Sequence, residues 1–314
     1  TQAANLQGIW NTTRRPSWSC NYTTNINVQM NYWPAEVTDL AELHLPLLNL
    51  VADLAVAGRR TARTVYAARG STVHHNTDIW RFTPAVSGMP EWANWPTGLL
   101  WLSAHVAEHI AFADPAEAES LAAEAVPVFE AAISFALDML EEDEDGSLVF
   151  SPSTSPEHAF ESDGAYHAVT RGAAMDQELV LEAFNNYLAM ARIAGHADAG
   201  LVHEVTTALA RVRPPLVGEA GDLLEWDAER VPMERGHRHV SHLYGVFPGS
   251  RITPRRNPEQ LEAAARALKS RLANGGAHTG WSRAWTLCLA ARLGDWLLYT
   301  SDAAADLLCG DVGG

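Results

Sequence analysis

The sequence predicts an all-α fold, because apolar residues recur at helical spacing along most of its 314 residues. At least seven segments show this spacing, three of them more weakly, near 97–111, 198–212 and 281–293. Alternation typical of a β-strand is scarce and is confined to short stretches such as 147–151. Helices in sequential pairs with polar loops between them indicate a helical toroid with a site at one end, although a helical bundle with long loops has the same pattern.

Three of the predicted helices have a continuous apolar stripe along one face. The stripes consist of Leu43, Leu47, Leu50 and Leu54; of Phe129, Ile133, Ala136, Leu137 and Leu140; and of Leu181, Phe184, Leu188 and Ala191. Asp39 and Glu42 have the spacing of a capping box, so we expect the first of these helices to begin there.

A fourth helix has sequence signals at both of its ends. Asn257 is a residue type that caps helices, and Pro258 fits the first helical position, where no backbone N–H is needed. Gly275 follows the last apolar position and predicts the end of the helix. The stripe between these signals consists of Leu261, Ala265, Leu268 and Leu272.

The charge balance excludes several classes of partner. With 22 Lys and Arg against 38 Asp and Glu, the formal net charge is −16, and such a surface does not neutralise the phosphates of nucleic acids or anionic membranes. No run approaches 18 consecutive apolar residues, so we expect no membrane insertion. A neutral ligand fits this composition better, while the oligomeric state stays open.

The cysteines and the first residues bear on the compartment. Cys20, Cys288 and Cys309 lack CxxC spacing, which predicts neither a disulfide framework nor a zinc ribbon. Residues 1–10 do not have the basic and apolar regions of a signal peptide. Secreted, periplasmic and cytoplasmic locations therefore all stay open, and the abrupt start at Thr1 favours a piece cut from a longer protein.

Long segments without helical periodicity hold most of the tryptophan, histidine, asparagine and proline residues. They run over about 8–37, 67–96, 145–172 and 214–256. Ordering such long loops costs conformational entropy, so loops of this length in a compact domain are usually functional. We therefore expect most of the site residues to lie in these four segments.

The first segment combines carboxamides with indoles. Asn25 and Asn27 follow Trp10 and Trp18, and would point the same way if the chain is extended. An asparagine both donates to and accepts from hydroxyl groups, while an indole covers the apolar face of a sugar ring. This combination predicts a carbohydrate site; the alternative is that the asparagines only satisfy turn backbone.

Glu157 is the carboxylate of the third segment that could act as a general acid. It follows a proline-flanked turn, 151–156, and proline fixes the backbone that would hold such a group in place. An isolated glutamate is more often a solvated surface residue, which is the alternative here.

Three histidines lie close together in the fourth segment. His237, His239 and His242 allow a metal site, since imidazole is a common zinc ligand. Without an HExxH motif, we prefer hydrogen bonding to a substrate or a structural network. A metal-dependent hydrolase built on the three loop histidines stays an alternative.

Two more stretches contain candidate site residues. His74, His75 and Asp78 lie outside any helical stripe, which leaves a pocket role and a structural role equally open. Trp281 and Trp285 are four residues apart and share a helix face, a pattern more usual for a core. The sequence has no phosphate-binding glycine loop, no GxSxG elbow and no Rossmann fingerprint, so we expect no cofactor and no bound metal.

Taken in order, these motifs resemble the inverting α-L-fucosidases of glycoside hydrolase family 95, from about Leu6 to Asp295. The stretches that carry the resemblance are 5–11, 25–36, 74–81, 155–157, 237–242, 279–285 and 291–295. The resemblance implies an (α/α)₆ barrel, preceded in the intact protein by a β-sandwich. It also implies that the partner is a fucosylated oligosaccharide or glycan, from which terminal α-L-fucose is hydrolysed with inversion.

The same resemblance assigns roles to single residues. Glu157 falls on the general acid of the family, and Asn25 and Asn27 fall on the asparagines that position the attacking water. Arg238 and His239 fall on positions that contact the substrate. We also expect substrate-binding roles for His74, His75, Asp78 and Trp281.

The chain departs from the family at its end. The family's assisting aspartate lies in a Gln-Ile-Asp-Gly-Asn-Phe-Gly type of segment, which is absent here. Residues 296–314 do not resemble the family's continuation, which predicts a truncated catalytic domain over 1–295 and a non-native tail over 296–314. The stretch 98–101 also lacks the second glycine usual at that place. Whether the piece is active without that aspartate stays open.

Two further functions remain compatible with the sequence. An α-L-galactosidase of the same family would act on a sugar that differs mainly by a hydroxymethyl in place of a methyl group, and a hydrophobic pocket rejects an added hydroxyl only about 10²-fold. A non-catalytic piece that binds carbohydrate would keep the aromatic and amide contacts without the base. The aglycone and the linkage are not indicated by any motif.

Overall fold

A computed structural model of the chain describes residues 1–295, and helices dominate it, as the sequence predicts. The helices are α1 (Asn27–Tyr32), α2 (Pro34–Val37), α3 (Ala41–Tyr66), α4 (Pro90–Ala93), α5 (Gly98–Phe112), α6 (Pro115–Asp138), α7 (Ala174–Ala194), α8 (Ala199–Leu209), α9 (Pro258–Ala273) and α10 (Gly280–Leu293). The all-α prediction is confirmed. The expected non-native tail, 296–314, lies outside the described residues.

The strands are short, and they pair loop segments with one another in small sheets instead of forming a core sheet. They are β1 (Tyr22–Thr23), β2 (Asn76–Thr77), β3 (Leu140–Glu142), β4 (Leu148–Phe150), β5 (Phe160–Ser162), β6 (Ala165–His167) and β7 (Val231–Pro232). β1 pairs with β2, β3 with β4, and β5 lies between β6 and β7, all antiparallel. The strand expected near 147–151 is β4.

The apolar stripes form the interior of the helical layer. Leu47, Leu50 and Leu54 of α3 are fully buried, as predicted, whereas Leu43 is 56% exposed. The capping box predicted from Asp39 and Glu42 is wrong. The helix begins at Ala41 with Leu40 as its N-cap, so Glu42 is its second residue, and a capping box requires an acid at the third.

The ends of α9 agree only in part with the sequence signals. Pro258 is its first residue, as predicted, but the Asn257 side chain makes no capping hydrogen bond. The helix ends at Ala273, and Gly275 follows with a positive φ of 88°. The capping box of this region lies instead on α10, between Thr279 and Ser282.

The core lies between the long helices. α6 packs along α7, α5 packs against both, and α3 contacts α5 and α6. Over 18 residues, α3 and α6 have mean hydropathies of 1.3 and 1.5, high enough for a membrane span by length and composition. Each nevertheless buries a continuous face in the core, as the buried Phe129 and Ile133 of α6 illustrate, and this packing accounts for their apolar character.

A close approach of backbones brings the first two loop segments together. A Cβ atom on Gly98 would lie 2.7 Å from the carbonyl oxygen of Val73, so only glycine fits at the start of α5. Thr24 donates from its backbone N–H to His75 O at 2.7 Å and from its hydroxyl to His74 O at 2.6 Å. The loop that carries Asn25 and the loop that carries His74 and His75 are therefore fixed to each other.

Candidate functional site

A cavity of about 580 Å³ opens where the loops meet. It is lined by residues from distant parts of the chain: Leu6, Gln7, Trp18, Thr23, Asn27, Met30, Asn31, His75, Asn76, Glu157, Arg238, His239, Thr279, Gly280 and Trp281. An indole, a carboxylate, carboxamides and a guanidinium thus face one space, and a polyhydroxylated ring needs these groups.

Asn25 lies directly beneath the cavity wall. Only 1% of the residue is exposed, and its Nδ2 donates to Oε1 of Glu157 at 3.0 Å. Its Oδ1 is buried and has no hydrogen-bond partner among the described residues. Asn25 therefore fixes one oxygen of the Glu157 carboxylate and keeps a second polar atom available.

Asn27 reaches the cavity because it begins helix α1. Asn27, Met30 and Asn31 are three and four residues apart, so they share the helix face that lines the cavity. The segment is not extended at Asn27, which is already helical, so the condition under which Asn25 and Asn27 would point the same way is not met. Helical geometry presents Asn27 to the cavity itself, while Asn25 acts from behind Glu157.

Glu157 is partly exposed, with 18% of its side chain accessible. Its Oε2 accepts from the guanidinium of Arg238 and lies 3.5 Å from Nε2 of His239. Burial raises the pKa of Glu157, but the nearby His239 ring, the Asn25 amide and the Arg238 guanidinium outweigh it and lower the pKa well below its usual range. In the substrate-free chain Glu157 is therefore a carboxylate.

His239 and Trp281 line the cavity beside Glu157. Their rings meet edge to face with centroids 4.7 Å apart. Burial lowers the pKa of His239, although Glu157 opposes this, so the imidazole is neutral at pH 7. Arg238 then carries the permanent positive charge that faces Glu157. Trp285, one turn after Trp281 on α10, is fully buried in the core.

Of the two adjacent histidines expected to contact the substrate, one lines the cavity and the other does not. His75 lines the cavity, and burial lowers its pKa to about 4. His74 lies behind the wall, where its Nδ1 donates to Thr83 O at 2.8 Å and its Nε2 accepts from the Tyr66 hydroxyl at 2.7 Å.

Asp78 belongs to a neighbouring pocket rather than to the main cavity. Its Oδ1 accepts from the backbone N–H groups of Trp80 at 2.8 Å and Phe82 at 3.1 Å. This carboxylate therefore holds the turn over residues 78–82.

The loop that presents Glu157 is supported from the start of α7. Asp176 accepts from the Ser153 hydroxyl at 2.5 Å, and Gln177 accepts from the backbone N–H of Phe150 at 2.8 Å. Both α7 residues are buried. Sequence reasoning missed these supports, although polar residues at the start of an otherwise apolar helix are a usable signal.

The metal interpretation of the three loop histidines receives no geometric support. Among the described residues, the group with ligand atoms within 4.8 Å of one another consists of Glu36, His44 and His109. Glu36 Oε1 lies 2.7 Å from Nδ1 of each of these two histidines, which is the length of a hydrogen bond. This group lies on helices α2, α3 and α5, which it connects, and it includes none of the three loop histidines.

Comparison with known proteins gives a consistent result. A family model described as the glycosyl hydrolase family 95 catalytic domain matches residues 1–303. The chain is 38% identical over 294 residues to Alpha-L-fucosidase 2 of Arabidopsis thaliana, covering 93% of the chain and 34% of that protein. It is 31% identical over 290 residues to Probable alpha-fucosidase A of Aspergillus niger, covering 90% of the chain and 36% of that protein. The chain thus spans about a third of the length of these curated relatives.

Proposed function

We propose, from the premise that this chain belongs to the glycoside hydrolase family 95 catalytic domains, that it is part of an inverting exo-hydrolase that releases terminal α-L-fucose from glycans. The observation that carries the proposal is the hydrogen bond from Asn25 to Glu157, on the cavity that Asn27 also lines. The printed names of the relatives, which are α-fucosidases, support the choice of sugar. We propose further that the helices form part of an (α/α)₆ barrel with this cavity at one end.

The proposed reaction is a single displacement. Glu157 gives a proton to the glycosidic oxygen as the bond from the anomeric carbon to that oxygen breaks. A water held by Asn27, with the unpartnered Oδ1 of Asn25 as its second acceptor, attacks the same carbon from the opposite face. An amide cannot accept the proton that this water loses; the family resemblance assigns that role to an aspartate outside the motifs found in this chain.

The general acid role requires that Glu157 gain a proton when substrate binds. The carboxylate in the substrate-free chain is held ionised above all by His239, then by the Asn25 amide and the Arg238 guanidinium. Two of these groups, His239 and Arg238, line the cavity, where the sugar can engage them. When His239 and Arg238 turn to sugar hydroxyls and the bound sugar excludes water, burial dominates and raises the pKa of Glu157. Substrate binding itself would then prepare the acid.

We assign roles to the other expected substrate-binding residues according to whether they line the cavity. His75, Arg238, His239 and Trp281 line the cavity and contact the sugar, with the Trp281 indole against the apolar C–H groups. His74 and the Asp78 turn act through the wall that they hold in place. No cofactor enters the proposed reaction.

The whole protein that contains this chain provides the test. Glu157→Gln should lower turnover of natural fucosides by about 10²–10⁴-fold, because their leaving groups require protonation. It should spare α-L-fucosyl fluoride, whose fluoride leaves without a proton. Asn27→Ala should slow both substrates, since each needs an aligned water. Glu161→Gln, four residues along on the exposed side of β5, is the matched control and should leave both rates unchanged.

The stereochemistry of the product gives an independent measurement. NMR of the first sugar released should show the β-anomer from an α-linked substrate, as single displacement demands. Early release of the α-anomer would mean a retaining mechanism. The roles given to Glu157, Asn25 and Asn27 would then have to be abandoned.

A further inference from the structure

Glu225 is a buried carboxylate that lies outside the cavity, behind the loops that carry Glu157 and Arg238. It belongs to the segment Leu223 to Trp226, and both of those apolar neighbours are buried as well. A charged group in such surroundings is retained only with partners, because transfer from water costs several kcal/mol per ion. Its partners show what it holds.

The carboxylate of Glu225 holds the Glu157 turn on both sides. Ser155 donates its hydroxyl to Oε1 of Glu225 at 2.6 Å, and His158 Nδ1 lies 2.9 Å from Oε2. The turn is closed by a backbone hydrogen bond from His158 N to Ser155 O at 2.9 Å. The residue before the closing histidine is Glu157, so its backbone is fixed by contacts that Glu225 receives from both ends of the turn.

The same carboxylate holds the Arg238 loop through Arg271. Arg271 Nη2 donates to Oε2 of Glu225 at 2.6 Å, while Nη1 donates to His239 O at 2.6 Å and to His237 O at 3.2 Å. The two carbonyls flank Arg238 in sequence. A single guanidinium therefore links the backbone on either side of Arg238 to the carboxylate that holds the Glu157 turn.

Stacked aromatic rings also connect the Glu157 turn to the Arg238 loop. The His158 and His237 rings stack in parallel with centroids 4.4 Å apart. Burial raises the pKa of Glu225, but His158 and Arg271 outweigh it and hold the pKa well below its usual range, so Glu225 is ionised. Arg271 places a permanent positive charge against this carboxylate, so Glu225 has an ionic partner other than Arg238.

We infer that Glu225 is a positioning residue for the reaction proposed above: it clamps the Glu157 turn to the Arg238 loop and thereby sets the contact between acid and guanidinium. Glu225 does not contact the cavity and takes no part in bond making. Its action is to fix where the Glu157 proton and the Arg238 charge are presented to the sugar.

The test variant is Glu225→Gln in the whole protein. Its amide can still accept from Ser155, but its NH₂ group faces the donors of His158 and Arg271. With the clamp loosened, kcat for natural fucosides should fall at least about tenfold, while kcat for α-L-fucosyl fluoride should stay within about threefold, because only the first substrate needs a precisely placed acid. KM should rise for both substrates.

The matched control is Glu178→Gln, which breaks another buried pair of a glutamate with an arginine, Arg251; among the described residues this pair makes no hydrogen bond to Glu225 or to its partners Ser155, His158 and Arg271. It should lower stability without changing the ratio of the two kcat values. Ser155→Ala is a second variant, which removes one arm of the clamp and leaves the charges in place. It should change the same ratio in the same direction, by a smaller factor, and it keeps the inference testable should Glu225→Gln not fold.

A readout independent of turnover separates this inference from the proposed function. The pKa of Glu157, followed by ¹³C NMR of labelled glutamate with Glu157→Gln for assignment, should rise in Glu225→Gln because Arg238 is held less firmly. It should not change in Glu178→Gln. An unchanged pKa with equal losses on both substrates would overturn the clamp. If the pKa of Glu157 rises in Glu225→Gln but Glu157→Gln does not lower turnover of natural fucosides, the clamp is supported and the general acid role of Glu157 is refuted.

Discussion

Replacing Asp176 should destabilise the chain by an amount that depends strongly on pH. Its carboxylate is fully buried at the start of α7. It accepts from Trp95 Nε1 at 3.0 Å, from the Thr97 hydroxyl at 2.6 Å and from the Ser153 hydroxyl at 2.5 Å, and also from the backbone N–H of Thr154. Asp176→Ala leaves these donors without their acceptor.

The cost has two parts. The hydroxyls can rotate, but the indole and the backbone N–H cannot, and each buried unsatisfied donor costs about 1–3 kcal/mol, so Asp176→Ala should lose about 4 kcal/mol in acid. Burial raises the pKa of Asp176 from 3.8 to about 6, although its donors oppose this. At 1.36 kcal/mol for each pKa unit, ionisation at pH 7 opposes folding by about 3 kcal/mol. The alanine variant escapes that penalty, which leaves a net loss of about 1 kcal/mol at pH 7.

The sign follows from proton binding. Between about pH 4 and pH 6 the folded chain holds the Asp176 proton and the unfolded chain releases it, so this contribution to stability is complete below pH 3.8 and is lost as pH rises to about 6. Asp176→Asn lacks the titrating group but keeps an acceptor for Trp95 and Thr97. Both variants should therefore have the same pH dependence, with Asp176→Asn more stable at every pH.

Urea unfolding followed by tryptophan fluorescence, repeated from pH 4 to pH 7.5, measures these free energies. The loss caused by Asp176→Ala should shrink by about 2.4 kcal/mol across this range, because part of the titration is already complete at pH 4. A loss that stays constant, or grows toward pH 7, would show that burial does not hold the Asp176 proton. The pH dependence of the wild-type chain would then have to come from other groups.

Two more substitutions test the packing and the surface. Gly98→Ala should destabilise by about 1–3 kcal/mol, because its Cβ would meet the Val73 carbonyl at 2.7 Å; an unchanged melting temperature would show that this loop gives way freely. Arg69→Ala should cost less than about 1 kcal/mol although Arg69 pairs with both Asp138 and Glu204, because 52% of its side chain is exposed. Thermal melting at low and high salt measures this, and a loss above about 2 kcal/mol would show that the pair acts as a network.

Apolar periodicity predicts the helices of this chain because each long helix buries one face. The predicted stripes on α3, α6, α7 and α9 lie within those helices, except that Leu140 falls beyond α6, in β3. On α9 the predicted stripe residue Ala265 is exposed. Helix ends are less predictable, because a cap depends on one dihedral angle. Asp39 has a positive φ of 61° and stands one residue too far from the helix to cap it.

The candidate site could be assembled from the sequence only as a set of residue types. Asn25, Glu157 and Arg238 are predicted site residues from separate loops. No local sequence pattern shows that the Asn25 amide and the Arg238 guanidinium both donate hydrogen bonds to the Glu157 carboxylate. Glu225 escaped notice because its partners lie 46 to 70 residues away. A glutamate set among Leu223, Leu224 and Trp226 was nevertheless a visible sign of a buried charge.

The distances in sequence between the cavity residues have a consequence for how the chain folds. The bond from Asn25 to Glu157 spans 132 residues, and the one from Arg238 to Glu157 spans 81. Closing such long loops costs entropy, whereas helices and their nearest neighbours in sequence can form without that cost. A partly folded chain could therefore have nearly all of its helical circular dichroism signal and still be unable to bind a sugar. Recovery of sugar binding during refolding should lag behind recovery of helix content, and the size of the lag measures when the last loops meet.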